Sequence, residues 1–152
     1  MVHSECVVNS YWGITPRQSV EAECARRGHT AVVTGCVDLL SGRDVDDALI
    51  VALGGPGAHH VLAGGAGGRH GYWPRSWAAR GLLYAWQDGA TPAVVHATTD
   101  EAWRVREMAA KVIARHRLGD AIDAVSQLQD DPTARVRAAA HRAIIRITAA
   151  RA

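Results

Sequence analysis

Apolar residues in the C-terminal half of this chain recur with the period of a helix and with a second, longer period. In Trp103-Arg104-Val105-Arg106-Glu107-Met108-Ala109-Ala110-Lys111-Val112-Ile113, apolar residues stand at −1, +3, +6 and +7 from Arg106. At about 100° per residue these positions share one stripe of an α-helix. The same pattern returns thirty-one residues later around Arg137, in Ala134 to Ile144, and thirty-one earlier around Arg75, in Tyr72 to Leu82. Arg75, Arg106 and Arg137 are thus in register. So are Arg80, Lys111 and Arg142, the alanines 78, 109 and 140, and Leu82, Ile113 and Ile144. Three copies in one register mark an internal repeat.

Each copy reads as a long amphipathic helix preceded by a shorter one. The shorter partners are expected at Pro56–Gly64, Pro92–Thr98 and Ala121–Gln129. Thr91 followed by Pro92 predicts a capping side chain ahead of a first-turn proline. Upstream, Thr30–Leu40 and Val45–Leu53 read as another helix pair turning at Ser41-Gly42, with poor register to the rest. Thr15-Pro16-Arg17-Gln18 has the form of a capping box opening a helix that runs to about Arg27. The first fourteen residues are not placed by any pattern. The fold class expected is all-α in a single domain over 1–152, with 1–55 as a capping or degenerate unit and 56–152 as three clear repeats.

Composition changes this picture little. Sixteen of the seventeen basic residues are arginine, and there is no phenylalanine. Residues 1–100 carry seven basic and nine acidic groups, and residues 101–152 carry ten and six, so the C-terminal third is basic. That balance favours an anionic partner. Cys6, Cys24 and Cys36 are odd in number and lack a CxxC pair, which fits buried thiols in a reducing cytoplasm rather than disulfides. The N-terminus shows no basic stretch followed by an apolar run, so no secretory signal is expected. The uncharged stretch Ala48–Gly68 holds seven glycines and a proline, which argues against a membrane span.

The segment Asp131-Pro132-x-x-x-Val136-Arg137-x-x-Ala140 resembles the consensus of HEAT repeats, especially the short bacterial type associated with phycobilisome lyases. The resemblance implies a right-handed α-α superhelix with the second helices lining its concave side. It also implies a ladder of turn aspartates and helix arginines between repeats. By that pattern Asp100 pairs with Arg106 and Asp131 with Arg137, while Arg69 occupies the aspartate position of the earlier copy, so that rung is absent. HEAT scaffolds serve many tasks, and the motif specifies fold rather than activity.

On the second helices, positions −2, +5 and +9 from the register arginine lie close together and away from the apolar stripe. They hold Arg104, Lys111 and Arg115 in one copy and Arg135, Arg142 and Arg146 in the next, with Arg80 continuing one row and Trp73 and Tyr84 filling the others. This basic strip, with Trp73 and Trp103 at helix starts, is the expected partner-binding surface. Trp77 and Trp86 are expected in the core. Gly54-Gly55-Pro56-Gly57 and Gly64-Gly65-Ala66-Gly67-Gly68 read as turns and match no phosphate-binding fingerprint. The histidines show no metal-ligand spacing, so neither a metal nor a cofactor is expected. Trp103 and Glu107 stand one helical turn apart, which is similar to the aromatic-carboxylate pairing of HEAT-like alkylpurine DNA glycosylases.

The leading expectation is a cytoplasmic adaptor that presents a basic concave face to another protein and performs no catalysis. A nucleic-acid-binding module related to those glycosylases is the alternative. A third reading is a small-ligand binder or enzyme using the glycine- and tryptophan-rich middle.

Overall fold

The computed structural model describes residues 14–151 and is all-helical, with no strand among the described residues. Cys6 and the unplaced N-terminal stretch lie outside the described residues, apart from Ile14. The first helix, α1 (Pro16–Arg27), opens on the capping box. Thr15 Oγ1 accepts the Gln18 N–H at 3.1 Å, and the Gln18 carboxamide accepts the Thr15 N–H at 2.9 Å. It ends at Gly28, whose φ of 99° favours a residue without Cβ and lets the chain turn directly into α2 (His29–Leu40).

Asp46 caps α3 (Asp47–Gly54) and is clamped by both terminal nitrogens of Arg27, at 2.7 and 2.9 Å. The glycine-rich stretch then forms the five-residue α4 (Ala58–Leu62) between two 3₁₀ turns. The three register segments become α5 (Tyr72–Gly81), α7 (Trp103–His116) and α9 (Ala134–Arg151), separated by α6 (Thr91–Ala97) and α8 (Ile122–Gln127). A 3₁₀ turn over Asp88–Ala90 leads straight into α6, so Thr91 is its first residue and not its cap.

Helices α3, α5, α7 and α9 form one row in which each packs on the next. Arg69 joins the start of α3, and Arg80 reaches its last turn, so α3 and α5 run side by side in one direction. The other row contains α2, α6 and α8, which pack on α5, α7 and α9 respectively. The expected short partner at 56–64 is therefore not what lies under α5. Helix α4 packs on α3 and the adjoining turns, while α2 covers α5. A helix of five residues cannot cover the apolar stripe of α5. The twelve-residue α2 can, and it brings Val32, Val33, Cys36 and Leu39 into the core.

Between the rows runs one continuous apolar core, from Val20 through Ile50, Leu82, Val94 and Ile113 to Ile147. Alanines at the register position, Ala78, Ala109 and Ala140, are fully enclosed, because only a methyl fits where neighbouring helices approach. Cys36 lies in this core, and burial pushes its thiol up to about 12. Trp77 is buried as expected, while Trp86 is half-buried and stacks on His116 at 4.3 Å. No helix among the described residues is long and apolar enough to cross a membrane.

Candidate binding face

The seams between repeats fix where functional side chains stand. Arg106 grips Asp131 through two bonds, Nε to Oδ2 at 2.7 Å and Nη2 to Oδ1 at 3.2 Å. Its remaining Nη1 donates to the carbonyls of Asp100 and Glu101, at 2.8 and 3.1 Å. Arg75 repeats the arrangement one seam earlier, with Asp100 at 2.8 and 3.2 Å and the Gly71 carbonyl at 3.1 Å. Arg75 and Arg106 thus each bind a carbonyl of their own turn and the carboxylate of the following one.

The within-repeat carboxylate pairs Asp100–Arg106 and Asp131–Arg137 do not form. Among the described residues, the Arg137 guanidinium hydrogen-bonds only the Asp131 carbonyl, at 2.7 Å. Burial alone would push the Asp131 carboxyl up. The Arg106 hydrogen bonds, the Thr133 N–H and the charges of Arg106 and Arg137 together hold it below its ordinary value. The rung expected to be absent is present with its polarity reversed. Arg69 donates to the Asp47 carboxylate at 2.9 Å and to the Val45 carbonyl at 3.0 Å.

Held in register by these rungs, the starts of α5, α7 and α9 bring together an aromatic-cationic cluster. The Tyr72 and Trp73 rings lie 5.0 Å apart, and Trp73 stacks on Trp77 at 6.1 Å. The Arg104 guanidinium sits 4.4 Å from the Trp103 ring centre, 5.3 Å from Trp73 and 5.9 Å from Tyr72. Arg135 approaches the same Trp103 ring at 5.3 Å. Its Nε also donates to Glu107 at 3.0 Å, and Lys111 stands 3.9 Å from that carboxylate. The Glu107 side chain is only 8% exposed, so it acts as an internal anchor for two cations.

Five residues of the expected surface therefore meet: Trp73, Trp103, Arg104, Lys111 and Arg135. Arg115, Arg142 and Arg146 are exposed farther along α7 and α9, with no acidic partner among the described residues. Arg80 leaves the strip. It is turned into the seam between α5 and α3, where Nη2 donates to the Leu53 carbonyl at 2.7 Å. Burial there pushes its guanidinium below the ordinary value, with Tyr84 opposing the shift. Tyr84 is half-buried beside it and not part of the cluster. Sequence periodicity does not set Tyr72 apart from the other aromatics, although it joins the cluster. Arg75, the first register arginine, belongs to the rungs.

A family model for HEAT repeats matches residues 72–145, the span that holds this whole cluster. Comparison with curated proteins and with solved structures gives no match.

Proposed function

Because this chain is a HEAT-like repeat protein, we propose that it is a binding module that takes up an acidic segment of a protein partner on the face formed by α5, α7 and α9. One observation carries the reading. The Arg104 guanidinium lies among three aromatic rings and makes no hydrogen bond to any described residue. Stacking restricts the guanidinium before any partner arrives, so a carboxylate that docks on it pays less ordering cost. The rings beside it add large, rigid contact area of the kind that dominates interfaces.

Glu107 favours a peptide over a nucleic-acid backbone. Its charge offsets Lys111 and Arg135 in the middle of the strip, which suits spaced carboxylates better than an unbroken row of phosphates. The same carboxylate, enclosed beneath two cations, is an anchor in this reading and not an acid or base. The exposed Arg115, Arg142 and Arg146 keep the nucleic-acid reading as the alternative.

Fluorescence anisotropy separates the two. The probes are an aspartate- and glutamate-rich peptide, a neutral peptide of equal length and a single-stranded oligonucleotide. The double variant Arg104→Glu/Arg142→Glu leaves the rungs and Glu107 untouched. It is expected to fold normally and to bind the acidic peptide at least about tenfold more weakly. Unchanged peptide binding in the double variant refutes the proposal. Tighter oligonucleotide binding, with a salt slope that drops by about one unit per arginine removed, moves the assignment to nucleic acid.

A further inference from the structure

Away from the acidic-partner face, a cleft of about 770 Å³ lies between α1, α3 and the start of the glycine-rich excursion. Its walls are mostly apolar and come from Ile14, Ala22, Ala48, Val51, Ala52 and Leu53. Ile14 is 48% exposed, one of only two large apolar side chains among the described residues left so open. The volume lies within the range of small-molecule sites, and most of the lining surface is hydrocarbon, with Thr15, Ser19, Glu23, Arg26, His59 and Arg80 as its polar side chains.

One of those polar groups is Arg80. Its guanidinium makes a single hydrogen bond among the described residues, to the Leu53 carbonyl, which leaves most of its donors unspent. No described carboxylate lies within ion-pair distance of it. Glu23 also lines the cleft, but its carboxylate is occupied by Arg26 and Arg27. The C-terminal end of α3 offers Arg80 partial negative charge and nothing more. A half-buried arginine without a counter-ion is costly for a protein to keep, and the cost falls when an anion arrives. The equivalent positions on the later helices, Lys111 and Arg142, are respectively anchored to Glu107 and exposed to solvent. Of these three register positions, only Arg80 combines burial, missing counter-charge among the described residues and an adjoining apolar hollow.

We propose that this cleft binds a small amphiphilic carboxylate, with the apolar portion against Ile14, Ala48, Val51 and Ala52 and the carboxylate on the Arg80 guanidinium. The charge-assisted bond to Arg80 supplies selectivity for an acid over a neutral group of the same length, and the hydrocarbon wall supplies the rest of the affinity. The reading is independent of the acidic-partner face, which shares α5 with this cleft but uses other residues.

Calorimetric titration with decanoate, decanol and decyltrimethylammonium tests it. Decanoate is expected to bind saturably below its micellar range, at least about tenfold more tightly than decanol, with the cation weakest. Arg80→Met should keep hydrocarbon binding and bring decanoate and decanol to equal affinity. Ala48→Phe changes an exposed position on the wall, should fold normally, and should abolish binding of both. A peptide that carries a C-terminal carboxylate next to apolar residues forms a further arm. Its binding in preference to decanoate would overturn the small-molecule assignment. So would equal affinity for acid and alcohol in the native chain, or unchanged selectivity in Arg80→Met. Titrating the Arg104→Glu/Arg142→Glu variant with decanoate keeps the two sites distinguishable, because that variant should bind it normally.

Discussion

Removing the Arg106 guanidinium tests the seam. In Arg106→Leu the helix keeps an apolar side chain of good propensity, so the loss falls on the contacts. Four go: two to Asp131 and one each to the Asp100 and Glu101 carbonyls. The Asp131 side chain is 5% exposed, so its charge stays in a poorly solvated place with only the Thr133 N–H and the more distant Arg137 for support. Stranding a buried carboxylate in this way costs about 3 kcal/mol, near the lower end for broken buried pairs because Arg106 itself is partly exposed. In a chain of this size that lowers Tm by about 6–12 °C. Arg137→Leu, which loses one carbonyl contact among the described residues, should cost less than about 1 kcal/mol.

The pH dependence adds a second check on the same variant. The Asp131 carboxyl is held below its unfolded value of about 3.9, so its contribution is complete above that pH and is lost as the pH falls through the depressed native value. In Arg106→Leu burial acts without the main opposing bonds, the native carboxyl moves up, and protonation relieves the variant first. The stability gap between native chain and variant should be widest near about pH 7 and narrow toward about pH 4. Urea melts at both pH values, with Asp131→Asn to close a double-mutant cycle, measure it. A gap below about 1 kcal/mol, or one that does not change with pH, would refute the account of the rung.

Two further substitutions should act at helix ends. Gly54→Ala places a Cβ 2.5 Å from the Trp77 ring, so thermal melts should show a loss of about 1–3 kcal/mol although alanine is the better helix former. Arg117 ends α7 at φ 50°, and Arg117→Gly should raise stability by about 0.5–1 kcal/mol in the same assay. A neutral result at Gly54 or a loss at Arg117 would count against the described geometry.

The repeat register, the apolar stripes and the Thr15 capping box were all legible in the residues, because each is a local property. Spacing along one helix fixes which side chains share a face, and a cap needs only its own turn. The same spacing correctly set Arg104, Lys111 and Arg135 apart from the core. It could not say which neighbour each would meet. The aspartate six residues before a register arginine lies in the same turn, yet the guanidinium extends across the seam, to the carboxylate twenty-five residues ahead. Arg80 shares a helical position with Lys111, but its neighbour is α3, whose end offers a carbonyl and a hollow where α7 and α9 offer Glu107 and solvent. Likewise α2 covers α5, although Pro56–Gly64 is nearer in sequence, because covering that stripe takes length and apolar surface. A helix's own sequence sets the angle of each side chain about its axis. Packing sets what stands opposite, and that choice fixed the rungs, the caged Arg104 and the unpaired Arg80.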